Sequence, residues 1–243
     1  MRQLPVLRRT LAILLPALAL AAIPAHANLV VNGSFETVTA SNTTYFYLAG
    51  VGNWSNSDIG ETLVTPSFTG ILFPGVGLAG AFPANSPDGG NFVLSDGDYH
   101  NSPIVQTISG LTPGNKYKLS FYQALAQDTE IFTTPGPVRG QWQVDFGGDV
   151  QMSALMTGNG ATLTFSPWAM QSMSFTAHTA TQVLSFLSVG AGDPPMVALD
   201  GININAVPEP DAVWLLGIGG LLIGWKLRAR RARAQAVQTV QAG

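Results

Sequence analysis

The chain has 243 residues, 46% of them hydrophobic and only 10% charged, and it contains no cysteine, which removes disulfides, thiolate metal ligands and a cysteine nucleophile together. The formal net charge of -3 is unevenly placed: residues 28–205 hold twelve Asp or Glu against Lys116, Lys118 and Arg139, while both ends are basic. So acidic a centre repels phosphate backbones and excludes nucleic acid as a partner.

Residues 1–27 read as a signal peptide. Arg2, Arg8 and Arg9 form a basic start, Leu11 to Ile23 an apolar stretch, and Ala25-His26-Ala27 a small-x-small cleavage site, the three parts a secretory signal needs. Cleavage guided by Ala25 and Ala27 leaves a mature chain that begins at Asn28.

From Asn28 onward hydrophobicity alternates with a period of two, with no sustained helical stripe. "IVQTISGLTPGNKYKLSF" reads as a hairpin around Gly110 and Pro113-Gly114-Asn115. Its second arm puts Tyr117, Leu119, Phe121 and Gln123 on one face and Lys116, Lys118, Ser120 and Tyr122 on the other. "QWQVDF" sets Trp142, Val144 and Phe146 against polar neighbours, "SMSFTAHTATQVLSFLSV" gives two strands around a hairpin turn holding His178, and "MVALDGININA" gives a closing strand. Residues 66–91 are rich in Gly and Pro, which argues against a helix or a central strand there. The expected fold over residues 28–205 is all-β, an antiparallel jelly-roll sandwich of about eight to ten strands.

Residues 206–243 differ in kind. Val207-Pro208-Glu209-Pro210 precedes an uncharged stretch from Ala212 to Trp225, and Lys226, Arg228, Arg230, Arg231 and Arg233 follow. This predicts a transmembrane helix over about 212–227 with a basic tail over 226–233 held on the cytoplasmic side. Fourteen helical residues span only about 21 Å of a ~30 Å hydrocarbon core, so snorkelling Lys226 must add length.

The order of Pro-Glu-Pro, apolar segment and arginine cluster resembles the PEP-CTERM protein-sorting signal, also called an ice-binding protein C-terminal domain. That resemblance implies processing by an exosortase in a Gram-negative bacterium that makes exopolysaccharide. It also implies inner-membrane anchoring during sorting, followed by placement on the cell surface or in the extracellular matrix. The sandwich region resembles galactose-binding-like domains, which include several carbohydrate-binding modules and the proteins once grouped as DUF642. The resemblance rests on "NLVVNGSFE" as an opening strand, "GNWS" at Trp54, the "IVQTISGLTPGNKYKLSF" stretch and the closing "ALDGINI", with Gly201 departing where Asn or Asp is usual. In such sandwiches a structural calcium often ties the first strand to the last. Glu36 and Asp200 hold the matching positions, with backbone carbonyls or waters completing six to eight oxygens. The alternative has Glu36 capping a turn and Asp200 solvated.

Other candidates are sparser. Asp96, Asp98 and His100 cluster in "SDGDYHNS", which lacks the spacing of an EF-hand loop and reads as a polar turn or a metal site. No G-x-S-x-G or H-E-x-x-H is present. Trp142 between Gln141 and Gln143 best fits a sugar platform, a ring for stacking beside amides for hydroxyls; a core position is its alternative. Three functions follow. The first is a non-catalytic exported surface or matrix protein binding neutral exopolysaccharide. The second is a structural or adhesive biofilm matrix protein with no sugar site, and the third, more distant, is a glycan hydrolase.

Overall fold

A computed structural model describes residues 28–38, 46–47, 51–56, 62–65, 71–73, 76–77, 85–98, 102–128, 136–162, 164–192, 194–207 and 217–230. The expected signal peptide with Ala25 and Ala27, and Pro208, Glu209 and Pro210 of the sorting motif, lie outside the described residues. In chain order the strands are β1 (Phe46–Tyr47), β2 (Ser55–Asn56), β3 (Thr62–Thr65), β4 (Ile71–Phe73), β5 (Val76–Gly77), β6 (Phe92–Asp96) and β7 (Ile104–Ser109). The longer ones follow: β8 (Lys116–Gln127), β9 (Pro137–Phe146), β10 (Asp149–Met152), β11 (Met156–Asn159), β12 (Ala169–Thr176), β13 (Thr181–Ala191) and β14 (Pro195–Ala206). Sheet one runs β1-β3-β6-β14-β8-β12 and sheet two β10-β9-β13-β7-β2, with β11 also on β9; β4 and β5 form a separate ribbon within the Gly- and Pro-rich stretch. All pairings are antiparallel. The result is the expected all-β jelly-roll sandwich.

Alternation sets the core. Tyr117, Leu119 and Phe121 of β8 face Trp142, Val144 and Phe146 of β9, and all six are buried. Phe186 of β13 is the hub, with ring centroids 5.2 Å from Phe121, 6.1 Å from Trp142 and 6.4 Å from Trp54. The first two are edge-to-face pairs, which add to what burial alone supplies. At the other end of sheet one the strands are buried on both faces. Phe92, Leu94, Ala124, Ala126, Met196 and Ala198 form a second small core beneath Phe165 and Trp168, which is why β6 and the middle of β14 read as continuous apolar runs.

The hairpin expectation for "IVQTISGLTPGNKYKLSF" is corrected. β7 lies in sheet two and β8 in sheet one, so residues 110–115 arch across the sandwich. Residues 177–180, expected as a hairpin turn, likewise carry β12 of sheet one to β13 of sheet two. The two arches bond to each other: the Gly114 N–H donates to Ala177, the Ala177 N–H to Asn115, and the Leu111 N–H to Ala180. The Tyr117 hydroxyl accepts the Thr112 N–H at 2.8 Å and pins the first arch, as tyrosine corners do in other sandwiches. Each arch spares backbone groups from burial without partners.

The opening stretch is corrected too. "NLVVNGSFE" is irregular rather than a strand, with Asn32 and Phe35 in the left-handed region. It still lies along β14: the Leu29 N–H donates to Ile204 and the Ile202 N–H to Gly33. The Asn28 side chain takes the place of a strand neighbour, donating from Nδ2 to the Ile202 carbonyl at 3.2 Å and accepting the Ile204 N–H at 3.0 Å. At the other end a helix, α1, covers 217–230, and its side chains are almost all exposed. Among the described residues no helix is long and apolar enough to cross a membrane.

Candidate functional site

Asp200 sits where β14 is irregular, near enough to Glu36 for that charge to act on it. The register of β14 with β8 shifts between Asp200 and Asn203, and Gly201 there has φ +60. A Cβ on Gly201 would stand 2.9 Å from the Tyr122 ring and 3.3 Å from Asp88, so a side chain there would be both strained and crowded. Gly90, with φ +65, is equally constrained, because a Cβ would lie 2.0 Å from Glu36 Oε1. Glu36 Oε1 accepts the Asn91 N–H at 2.5 Å, while Asn91 Nδ2 donates to the Phe35 carbonyl at 3.3 Å. Ser86 Oγ accepts the Asp88 N–H at 3.2 Å, shaping the turn that brings Asp88 in.

Asp200 is fully buried, and neither of its carboxylate oxygens completes a hydrogen bond. Burial pushes its pKa up to about 8. The Ser86 hydroxyl and the Gly201 N–H lie near enough to oppose that rise, and the charges of Asp88 and Glu36 add to it. Asp200 is therefore not solvated. Among the described residues no group of three His, Asp or Glu side chains is arranged to hold a metal ion as it stands. The two orphaned oxygens, the neighbouring carboxylates and the glycine-lined surround nevertheless fit an oxygen-seeking cation that takes its remaining ligands from backbone or water. Asp88 and Ser86 were not singled out in the sequence. The Asp-Gly-Gly run at 88–90 was their only signal.

The platform reading of Trp142 is corrected. Its side chain is fully buried and its Nε1 donates to the Ala198 carbonyl at 2.9 Å, across the sandwich. Its backbone N–H donates to Ser153 Oγ at 2.8 Å, and that hydroxyl donates in turn to Gln123 Oε1 at 2.6 Å. Alternation then places Gln141 and Gln143 on the opposite, outer face of sheet two, half-buried. There they pair in register with Val189 and Leu187 of β13, and Gln143 also with Met152 of β10. The outer face so presents amides over an aliphatic floor. Near its β2 edge lies an open groove of about 310 Å³ lined by Val31, Asn53, Ser55, Val105, Gln106 and Thr107. Gln106 fixes the groove wall, since its Nε2 donates to the Val31 carbonyl at 2.8 Å and its Oε1 accepts the Val31 N–H at 2.9 Å.

In "SDGDYHNS", Asp96 Oδ1 accepts the Asp98 N–H at 2.8 Å, a turn contact; His100 lies outside the described residues. His178 Nε2 sits 3.0 Å from Asp149 Oδ2 in an exposed pair.

Against known families, the model described as HpiC1 cyclase matches residues 26–187, two thirds of the chain. The chain belongs to the HpiC1-like family. The HpiC1-like match stops before β14, so Asp200 lies beyond it. A second model, the PEP-CTERM protein-sorting motif, matches residues 206–231, which confirms the sorting signal and includes Val207 to Pro210. No curated protein matches. Among solved structures, TmCBM61 in complex with β-1,4-galactotriose is 14% identical over 74% of this chain and 99% of its own, with a TM-score of 0.42. The CBM22-1 xylan-binding domain of Paenibacillus barcinonensis Xyn10C is 14% identical over 76% and 97%, with a TM-score of 0.39. The enzymatically active domain of bacteriophage CBA120 tailspike protein 4 is 14% identical over 74% of this chain, which spans 21% of the tailspike chain, with a TM-score of 0.38.

Proposed function

We propose that this chain is an exported, exosortase-processed protein of a Gram-negative cell surface or extracellular matrix, non-catalytic, whose sandwich binds a neutral exopolysaccharide. Glu36 and Asp200, joined by Asp88, hold a structural calcium that fastens the opening segment to β14. The observation that carries the binding reading is the outer face of sheet two, where Gln141 and Gln143 stand beside Val189, Leu187 and Met152. Amides recognise hydroxyls and the aliphatic floor accepts the C–H face of a sugar, whereas the excess of acid over residues 28–205 disfavours anionic polymers. The test is retardation of the protein in native gels containing neutral polysaccharides. Replacing Gln141 and Gln143 together by Ala should abolish retardation and leave the melting point in place. A wild-type chain that no neutral glycan retards supports the structural or adhesive matrix role instead.

A second reading, a cyclase, has the family match on its side. Cyclisation needs a positioned acid or base and a site closed to water. The groove at Val31 is open and none of its lining residues titrates, so that groove supplies neither, and we favour binding on the amide-lined outer face of sheet two.

A further inference from the structure

The two ends of the sandwich domain leave it side by side. Asn28 is bonded to Ile202 and Ile204 of β14, and β14 ends at Ala206, where the Val207 N–H donates to the Lys116 carbonyl at 2.8 Å. The sorting-motif match begins at residue 206, and residues 208–216 lie between Val207 and the described part of α1. Nine residues reach at most about 30 Å. The end of the domain that carries Asn28 and Val207 is thus held close to whatever surface holds the C-terminal segment.

That end also differs electrostatically from the other. Lys116 and Lys118 are two of the three basic residues in 28–205. Both are exposed on the outer face of sheet one, and Lys118 pairs in register with Asn205 and Ser174. The described outer-face neighbours here, Ser120, Ser172, Ser174, Thr176, Asn203 and Asn205, carry no acid. Asp149 and Asp145 belong to sheet two and are engaged, Asp149 with His178 and Asp145 with the Gly148 N–H, while the Glu36, Asp88 and Asp200 group lies further along β14, where Asp200 pairs with Tyr122. β14 runs about 40 Å from this end to Pro195, and the opposite end holds Asp96, Asp98 and Asp128. An acidic domain would be expected to stand off an anionic surface; this one carries its two lysines where its tether begins.

We propose that Lys116 and Lys118 rest on anionic phospholipid headgroups while the C-terminal segment is anchored, orienting the domain with its acidic end outward. The inference rests on the anchored reading of the sorting segment. Lysines near an anionic surface attract it within a Debye length, and a short tether makes even a weak contact effective by raising its local concentration.

The chain has no cysteine, so a single introduced one carries a unique probe. Ser174→Cys marks the lysine end and Asp98→Cys the opposite end. Each fluorophore-labelled full chain is reconstituted in vesicles of equal parts phosphatidylglycerol and phosphatidylcholine, with a quencher on some headgroups. Quenching should be at least about threefold stronger at Ser174→Cys than at Asp98→Cys, and should fall toward the latter with Lys116→Gln and Lys118→Gln together or in phosphatidylcholine alone. Equal quenching at the two sites, or quenching indifferent to both lysines and lipid charge, overturns the proposal. Chain that does not float with the vesicles overturns the anchored reading, and the proposal with it.

Discussion

The indole of Trp142 donates to the carbonyl of Ala198 at 2.9 Å, joining the second strand of sheet two to the middle of sheet one. A side chain committed to this bond cannot stack on a sugar. Trp142→Ala should therefore cost about 3–5 kcal/mol of stability, as loss of a buried aromatic does, read as a large drop in the urea midpoint. Retardation by polysaccharide would then be lost only together with the fold. Native stability in Trp142→Ala would contradict the core position.

Asp200 should make stability depend on pH in the direction opposite to a salt-bridged carboxylate. Its folded pKa of about 8 lies above the ordinary 3.8, so between those values the folded state holds a proton that the unfolded chain releases. Stability of the calcium-free protein should fall, on the order of a few kcal/mol, as pH rises through that window and level off above it. Asp200→Asn, neutral throughout, should flatten the profile. Calcium should raise the melting point most at the alkaline end, because it favours the folded state with Asp200 ionised. Melts that are flat with pH and unmoved by calcium or chelator would count against both the orphaned carboxyl and the metal.

Tyr117→Phe removes the acceptor for the Thr112 N–H while keeping the buried ring. The expected cost is about 0.5–1.5 kcal/mol, with faster hydrogen exchange at the Thr112 amide and unchanged exchange in β9. A global loss of protection would mean that the arch is not a local feature.

Asn28 ties signal cleavage to the fold. Mass spectrometry of exported protein should show Asn28 as the first residue, and Asn28→Ala should lose about 1–3 kcal/mol with its backbone partners on β14 left unpaired. Surface protein that still begins at Met1 would refute the cleavage site. Truncation before Pro208 should release a soluble domain, and a truncated chain that stays in the membrane fraction would place the anchor elsewhere.

Periodicity marked the strands β7, β8, β9, β12, β13 and β14 and which of their side chains point inward. Tyr117, Leu119, Phe121, Val144 and Phe146 are buried as the alternation requires, because side chains on a strand take opposite faces whatever the strand pairs with. The sorting signal was equally legible, since its parts are contiguous in the chain and act through composition. Partnership between strands was not. The link at residues 110–115 is compatible with a hairpin or with an arch, and only the bonds from Gly114 and Leu111 to the second arch choose between them. Nor can alternation say whether an inward-facing Trp142 has a second layer over it; β14, some fifty residues later in the chain, supplies that layer and the acceptor for its indole. Asp200 shows the same division. A calcium role with Glu36 was an expectation from resemblance, but the burial of Asp200 accompanies the bulge at Gly201 and the approach of Asp88, and such long-range solvent exclusion is written only in the folded chain.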